Sequence, residues 1–138
     1  MFLRGSALAV LAAGLVGVVA PSASTGTTVA SATGCNNATP WYTARTKVGR
    51  YAAIRGPVVS TLYARSSNGQ PTFLDLGRRY PSSARFTVVI WRENRAAFGG
   101  APEFRFRART LCVRGVVTLY GGVPEIIARA PSQIRVIR

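Results

Sequence analysis

The sequence lacks histidine altogether, and its 138 residues include only four acidic side chains and two cysteines. Without histidine, the commonest general base and the commonest metal-binding side chain are both excluded. The carboxylates belong to Asp75, Glu93, Glu103 and Glu125. A metal nuclease built on Asp75, Glu93 and Arg79 is the enzymatic alternative, but no two carboxylates are spaced so that they must share a metal ion. We predict a protein that is not an enzyme and that uses no metal and no cofactor.

The chain has 18 basic residues and only 4 acidic ones, which gives a net charge of +14. A field of this sign favours polyanionic partners: nucleic acid, acidic wall polymers, anionic lipid headgroups or an acidic protein. In so basic a chain, we expect a lone acid such as Glu125 to pair with an arginine.

Long apolar runs are also missing. The longest, residues 7–20, is shorter than the roughly 20 residues that span a bilayer, and it is rich in glycine and alanine. It follows Arg4 and precedes small residues, a pattern typical of a secretory signal peptide. We predict that residues 1–32 are a signal peptide, cleaved near Ala23 or after Ala32. The mature chain is then secreted or associated with the cell envelope, with no integral membrane span.

The two cysteines, Cys35 and Cys112, both follow the predicted leader. In the oxidising environment outside the cell we predict that they form a disulfide. This bond would close a loop of about 76 residues and stabilise the fold by roughly 4 kcal/mol. The alternative is a free, buried Cys112 with Cys35 in a mobile tail.

Runs of β-branched and aromatic residues between turn signals predict five strands, within residues 50–65, 71–77, 86–91, 110–120 and 123–129. The stretch RENRAAF, residues 92–98, has helical composition and ends at two glycines. Five antiparallel strands with a short helix between the third and fourth is the arrangement of the OB-fold, an all-β Greek-key barrel. We predict this barrel for residues 47–138, after a flexible linker and short helical turn at residues 33–46.

Five stretches of the chain carry a resemblance to a known family: IRGPVVSTLYA, GQPTFLDLGRRYP, FTVVIW, VRGVVTLYGGVPEI and PSQI. They are distributed along the presumed domain, roughly residues 47–137, and the chain resembles small bacterial OB-fold domains classed as nucleic-acid-binding. The resemblance implies the same barrel and a nucleic-acid partner. Because one fold hosts many functions, the functional residues must be sought in the sequence itself.

Four apolar residues of the second and third strands are expected to fill the barrel: Leu74, Leu76, Val88 and Ile90. Alternation then turns Phe73 and Trp91 to the outer face, where OB-folds stack bases on aromatic rings. The predicted nucleic-acid contacts are Phe73 and Trp91 for stacking, Arg65, Arg78, Arg79 and Arg85 for phosphates, and Tyr63 and Tyr120 at the flanks. The alternative is that Trp41 and Tyr42 cover Phe73 and Trp91.

The stretch EFRFRARTLCVRG, residues 103–115, alternates arginine with phenylalanine like a nucleic-acid platform. In one unbroken strand, however, Arg105 would share a face with Leu111, and burying it would be prohibitively costly. We therefore expect residues 103–108 to form a solvated loop, with Phe104 or Phe106 against the barrel end. Cys112 then points outward, within reach of Cys35.

These features favour an exported OB-fold module that binds single-stranded nucleic acid without sequence preference, through stacking and arginine–phosphate contacts. The main alternative is a cell-envelope protein whose positive surface binds acidic wall polymers, anionic lipid or an acidic protein partner. A third possibility is an exported domain for a small-molecule ligand.

Overall fold

The computed structural model describes residues 17–18, 22 and 34–138. Apart from three isolated positions, the predicted signal peptide lies outside the described residues. Within the described residues, no helix is long and apolar enough to cross a membrane.

The described chain is mostly β-sheet with a few short helices. The strands are β1 (Thr39–Pro40), β2 (Tyr51–Tyr63), β3 (Thr72–Leu76), β4 (Phe86–Ile90), β5 (Thr110–Val116), β6 (Thr118–Tyr120), β7 (Val123–Ile127) and β8 (Ile134–Ile137). The helices are one α-helical turn, α1 (Pro102–Arg105), and four 3₁₀ helices at Cys35–Asn37, Trp41–Lys47, Arg92–Phe98 and Pro131–Gln133.

The strand pairing forms a closed ring. Strand β3 lies antiparallel between β2 and β4, and β4 pairs in parallel with β7. Strand β7 pairs with β6, and only Val117 separates β6 from β5, which returns to pair with β2. If β5 and β6 are counted as one strand, the five barrel strands in chain order are β2, β3, β4, β5–β6 and β7. Around the barrel, β2 is followed by β3, β4, β7 and β5–β6, which pairs with β2 again. This is the connectivity of the OB-fold, and it confirms the predicted all-β class.

Strand β2 closes the ring by serving two partners. Its first half, Tyr51–Pro57, pairs with β5, and its second half, from Val58 onward, pairs with β3. The register shifts between Val58 and Ser60, directly after the Gly56–Pro57 step. Because proline donates no ladder hydrogen bond and bulges bend strands, this is where the strand can turn the corner of a small barrel.

The interior follows the predicted alternation. The four expected core residues of β3 and β4 are fully buried: Leu74, Leu76, Val88 and Ile90. The same core contains Ile54, Leu111, Val113 and Ile126 from the other barrel strands, with Phe98 and Phe106 from the segment after β4. Each such side chain contributes about 1.5–3 kcal/mol through burial.

Residues 34–47 lie against the barrel. Strand β1 pairs with β2, and the predicted Cys35–Cys112 disulfide is present, with a Cα–Cα distance of 5.9 Å. The ring of Trp41 fills the space above Gly56 and Gly77; at Gly77, where φ is +76°, a side chain would overlap the indole. The sequence predicted a flexible linker and a short helical turn for residues 33–46; the structure has the strand β1 and two short 3₁₀ helices, Cys35–Asn37 and Trp41–Lys47, in this segment.

The segment between β4 and β5 breaks the strand phase as expected, but not as a plain loop. Residues 103–105 belong to the helical turn α1, a correction to the predicted loop. Phe106 is 3% exposed and packs edge-on against Phe98, whereas Phe104 is 65% exposed. At Ala108 the backbone has a φ of +56°, so the exposed arginines do not share the inward face of Leu111.

Candidate nucleic-acid interface

A cleft of about 480 Å³ lies on the outer face of the barrel. Its walls come from β2, β3, β4, β6 and β7 and from the loop between β3 and β4. The lining residues are Ser60, Thr61, Leu62, Phe73, Asp75, Tyr80, Arg85, Thr87, Tyr120, Val123 and Glu125. A cleft of this volume falls within the range of sites for small ligands or single nucleotide units.

The strand register gives the outward-facing positions two rows. One row is apolar and runs across neighbouring strands through Leu62, Phe73, Val89 and Ile127, of which only Leu62 and Phe73 line the cleft. The other is polar and runs through Ser60, Asp75, Thr87 and Glu125. Residues two apart on a strand share a face and are about 7 Å from each other. A flat ring resting on Phe73 would therefore turn its edge toward the polar row.

Two tyrosines stand exposed at the cleft. Tyr80 belongs to the loop between β3 and β4 and is 75% exposed; Tyr120 ends β6 at the hairpin to β7 and is 77% exposed. The guanidinium of Arg85 lies 5.1 Å from the ring centroid of Tyr80. Large rings in such positions are available to stack on a ligand, because no other part of the described chain covers most of their surface.

Asp75 and Arg85 form an ion pair in the cleft, with Arg85 Nε 3.5 Å from Asp75 Oδ1. The Thr87 hydroxyl donates to Asp75 Oδ1 at 3.0 Å, and the Tyr80 amide donates to Oδ2 at 3.4 Å. Burial raises the pKa of Asp75, against the lowering effects of the Thr87 hydroxyl, the Arg85 charge and the Tyr80 amide. The contacts of Asp75 are therefore largely provided by the protein itself.

Glu125 differs from Asp75 because it is half-buried without a partner of its own. In residues 34–138 the ion pairs join Asp75 to Arg85 and Glu103 to Arg95, so the expected pairing of Glu125 with an arginine is wrong. Burial raises the pKa of Glu125, and the charge of Arg85 only partly opposes this effect.

A second depression, of about 340 Å³, adjoins the cleft along β2. Both depressions have Ser60 and Thr61 in their walls. The second is also lined by Arg79 and Arg107, which come from two separate connections of the barrel. Two guanidinium groups beside an apolar cleft are suited to an anionic group such as phosphate.

The structure brings some of the predicted site residues together. Phe73, Arg85 and Tyr120 line the cleft, and Arg79 lines the adjoining depression. Arg78 is exposed in the same loop as Arg79. Of the two residues that alternation placed on the outer face, Phe73 lines the cleft and Trp91 does not.

Three other predicted residues gather elsewhere, around the turn between β2 and β3. The Trp91 ring packs on Gly69, where an added Cβ would lie 2.8 Å from the indole. Tyr63 donates to Gln70 Oε1 at 3.4 Å and lies beneath the guanidinium groups of Arg65, at 5.2 Å, and Arg95, at 3.5 Å. None of these three lines the cleft, and neither Trp41 nor Tyr42 covers it.

Sequence reasoning missed several lining residues, above all Tyr80, Leu62, Glu125 and Arg107. Leu62 faces Phe73 across the ladder, so a known register would have found it. Tyr80 and Arg107 lie in connections, where no periodic pattern indicates direction. Among the described residues there is no group of three or more His, Cys, Asp or Glu side chains that could hold a metal ion.

No protein-family model and no curated protein matches the chain. Among solved structures, a protein named as an aspartyl-tRNA synthetase, from Leishmania major Friedlin, is similar over 80% of this chain and 22% of its own, with 16% identity and a TM-score of 0.47. The asparaginyl-tRNA synthetase from Pyrococcus horikoshii, complexed with asparaginyl-adenylate, is similar over 75% and 21%, with 17% identity and a TM-score of 0.43. This chain spans about a fifth of each. The fold assignment therefore rests on the strand connectivity.

Proposed function

We propose that this chain is an exported binding module, and not an enzyme, that holds single-stranded nucleic acid on the outer face of its barrel. The observation that carries the proposal is the cleft itself: an apolar floor at Phe73, exposed tyrosines at Tyr80 and Tyr120, and an adjoining pair of arginines. This is also the face on which OB-folds commonly bind oligonucleotides. The net charge of +14, of which Arg4 in the predicted leader carries one unit, provides the long-range attraction.

The proposed mechanism has two parts. Bases stack on the aromatic rings of the cleft, at about 1–3 kcal/mol for each base. Phosphates contact Arg79, Arg107 and neighbouring arginines, which releases counterions and makes the affinity depend on salt. Neither part reads a base sequence, because every base has a ring face and every nucleotide a phosphate.

The test is fluorescence anisotropy with a labelled single strand across a salt series. With about four phosphate contacts, affinity should fall roughly fifty-fold between about 50 and 200 mM salt. The Phe73→Ala variant should bind roughly 5- to 150-fold more weakly at every salt concentration, with an unchanged slope, because stacking is not ionic.

A matched control is Arg135→Ala, which removes an exposed charge from β8, outside the cleft. We expect it to weaken binding far less than Phe73→Ala. The proposal fails if the wild-type protein does not bind at low salt. Equal losses from the two variants would reduce the interaction to unspecific attraction between charges.

The alternative partner is an acidic wall polymer, an anionic lipid or an acidic protein, bound by the same positive surface. Adding an unlabelled polyanion of matched charge but without bases separates the two proposals. If bases stack in the site, the oligonucleotide should remain bound at competitor concentrations that would displace it from a surface that attracts only charge.

The proposal places the protein outside the cytoplasm. Its support is the Cys35–Cys112 disulfide together with the leader-like residues 1–32, since disulfides persist mainly in oxidising compartments.

A further inference from the structure

The acidic residues of this chain are distributed unexpectedly for a protein with a polyanionic partner. Two of the four, Asp75 and Glu125, line the cleft. Glu103 is committed to its ion pair with Arg95, and Glu93 is exposed on the surface. Carboxylates repel phosphates, so a cleft that held only phosphate groups would gain nothing from them. A carboxylate of this cleft whose contacts are not supplied by the protein itself would instead suit a ligand group that donates hydrogen bonds.

The two carboxylates are not equivalent. Asp75 already accepts from the Thr87 hydroxyl and the Tyr80 amide and pairs with Arg85. Glu125 makes no side-chain hydrogen bond and no ion pair within residues 34–138, although it is half-buried. A half-buried carboxylate without a donor is an acceptor open to a ligand.

The register fixes where this acceptor lies. Glu125 is the ladder partner of Thr87, and Thr87 is the ladder partner of Asp75, two residues from Phe73. A ring stacked on Phe73 has its edge toward the polar row, in which Asp75 is the nearest carboxylate and Glu125 lies two strands, about 10 Å, further across the sheet. A base that extends from Phe73 across β4 therefore brings its far edge to Glu125. The depression of Arg79 and Arg107, which would hold the phosphate, adjoins the Ser60 end of this row, away from Glu125.

We propose that Glu125 is a specificity-determining residue, which accepts a hydrogen bond from the amino group of a base stacked on Phe73. This inference rests on the proposed function and adds a base preference to it. Cytosine presents an N4 amino donor at the position where thymine presents the O4 acceptor. A carboxylate attracts the first and repels the second, so the cleft favours cytosine over thymine, two bases of the same ring size.

The experiment compares oligo(dC) with oligo(dT) of equal length by anisotropy, at one salt concentration and at a mildly alkaline pH where cytosine is unprotonated. Wild-type protein should prefer oligo(dC) by roughly ten-fold, the effect of one good polar base contact. Glu125→Gln should bring this ratio close to one, because an amide can donate to O4 as well as accept from N4.

The matched control is Glu93→Gln, which removes the same charge from an exposed position outside the cleft. It should strengthen binding of both oligonucleotides equally and leave their ratio unchanged. The ratio therefore separates a base contact from a general charge effect, which both variants share.

The folding of Glu125→Gln can be checked by urea unfolding. The pKa of Glu125 is higher in the folded protein than in the unfolded chain. The protonated side chain therefore favours folding at a pH below the pKa of the unfolded chain, and this contribution is lost as the pH rises through the pKa of the folded protein. At neutral pH the variant should be at least as stable as the wild-type protein, with the difference closing on acidification.

Three outcomes would decide the matter. Tight but equal binding of both oligonucleotides by the wild-type protein overturns the base preference and leaves the proposed function standing. An oligo(dC) preference that survives in Glu125→Gln overturns the role of this residue. Failure to bind either oligonucleotide at low salt removes the proposed function itself.

Discussion

Replacing Arg95 by alanine should lower the free energy of unfolding by roughly 3–5 kcal/mol, the usual effect of removing one partner of a buried ion pair. Arg95 is 8% exposed, and its two terminal nitrogens contact the Glu103 carboxylate at 2.8 and 3.1 Å. It also donates to the Gly100 carbonyl at 2.7 Å and to the Thr72 hydroxyl, and it stacks on Tyr63. Without Arg95, the carboxylate of Glu103, a residue that is only 7% exposed, is left without its ion-pair partner.

Urea unfolding at neutral pH measures this loss, with Arg92→Ala as the control. Arg92 is an exposed arginine of the same 3₁₀ helix, and its replacement should change stability by no more than about 0.5 kcal/mol. Equal effects of the two substitutions would show that the buried pair does not hold this end of the barrel.

Acidification provides a second readout on the same variants. Burial alone would raise the pKa of Glu103, but its hydrogen bonds and the charge of Arg95 lower it below the ordinary value. The stabilisation is therefore present above the unfolded pKa and is lost as pH falls through the folded one. The difference in the free energy of unfolding between the wild-type protein and Arg95→Ala should therefore become smaller as the pH is lowered.

Breaking the Cys35–Cys112 disulfide should cost roughly 4 kcal/mol, because the bond joins residues separated by 77 positions and restricts the unfolded chain. In the folded protein it holds residues 34–47 against β2 and β5. We expect this segment, including Trp41 over Gly77, to be the first part to detach after reduction.

Urea unfolding with and without reducing agent measures the cost. Cys35→Ala is the informative variant, because it removes the bond and leaves the fully buried Cys112 side chain in place. Reduced wild-type protein and Cys35→Ala should have the same unfolding midpoint, well below that of the oxidised protein. A midpoint that does not respond to reduction would contradict the expectation.

Alternation, turn chemistry and the order of the elements predicted the barrel, although all five strands were expected to be antiparallel and β4 in fact pairs in parallel with β7. They placed Leu74, Leu76, Val88 and Ile90 inside, and the order of strands and helix led to the observed connectivity. This succeeds because in a small barrel a strand residue has only two directions available, and the apolar set must take the inner one.

The lining of the candidate cleft was predicted only in part, for physical reasons that particular residues show. Phe73 lies within β3, where alternation applies, and it reached the cleft. Trp91 follows the last residue of β4 and precedes a 3₁₀ helix, so alternation no longer decides its neighbours. Tyr63 pairs with Thr72 and so has the opposite parity to Phe73, which only the register reveals.

Charge partners were the hardest feature to predict. Glu103 lies eight residues from Arg95 in sequence, yet the two are buried together. Glu125, for which an arginine was expected, has none within ion-pairing distance among the described residues. Ion pairs depend on how connections fold onto the barrel, and composition alone does not determine that.

The central claim is that the outer-face cleft binds single-stranded nucleic acid, and amide chemical-shift mapping by NMR tests it most directly. On titration with a short single strand, the largest shifts should cluster at Phe73, Thr87, Tyr120 and Glu125, with smaller ones near Arg79 and Arg107. Shifts concentrated in residues 34–47 or in β8, or spread evenly over the arginines, would contradict the claim.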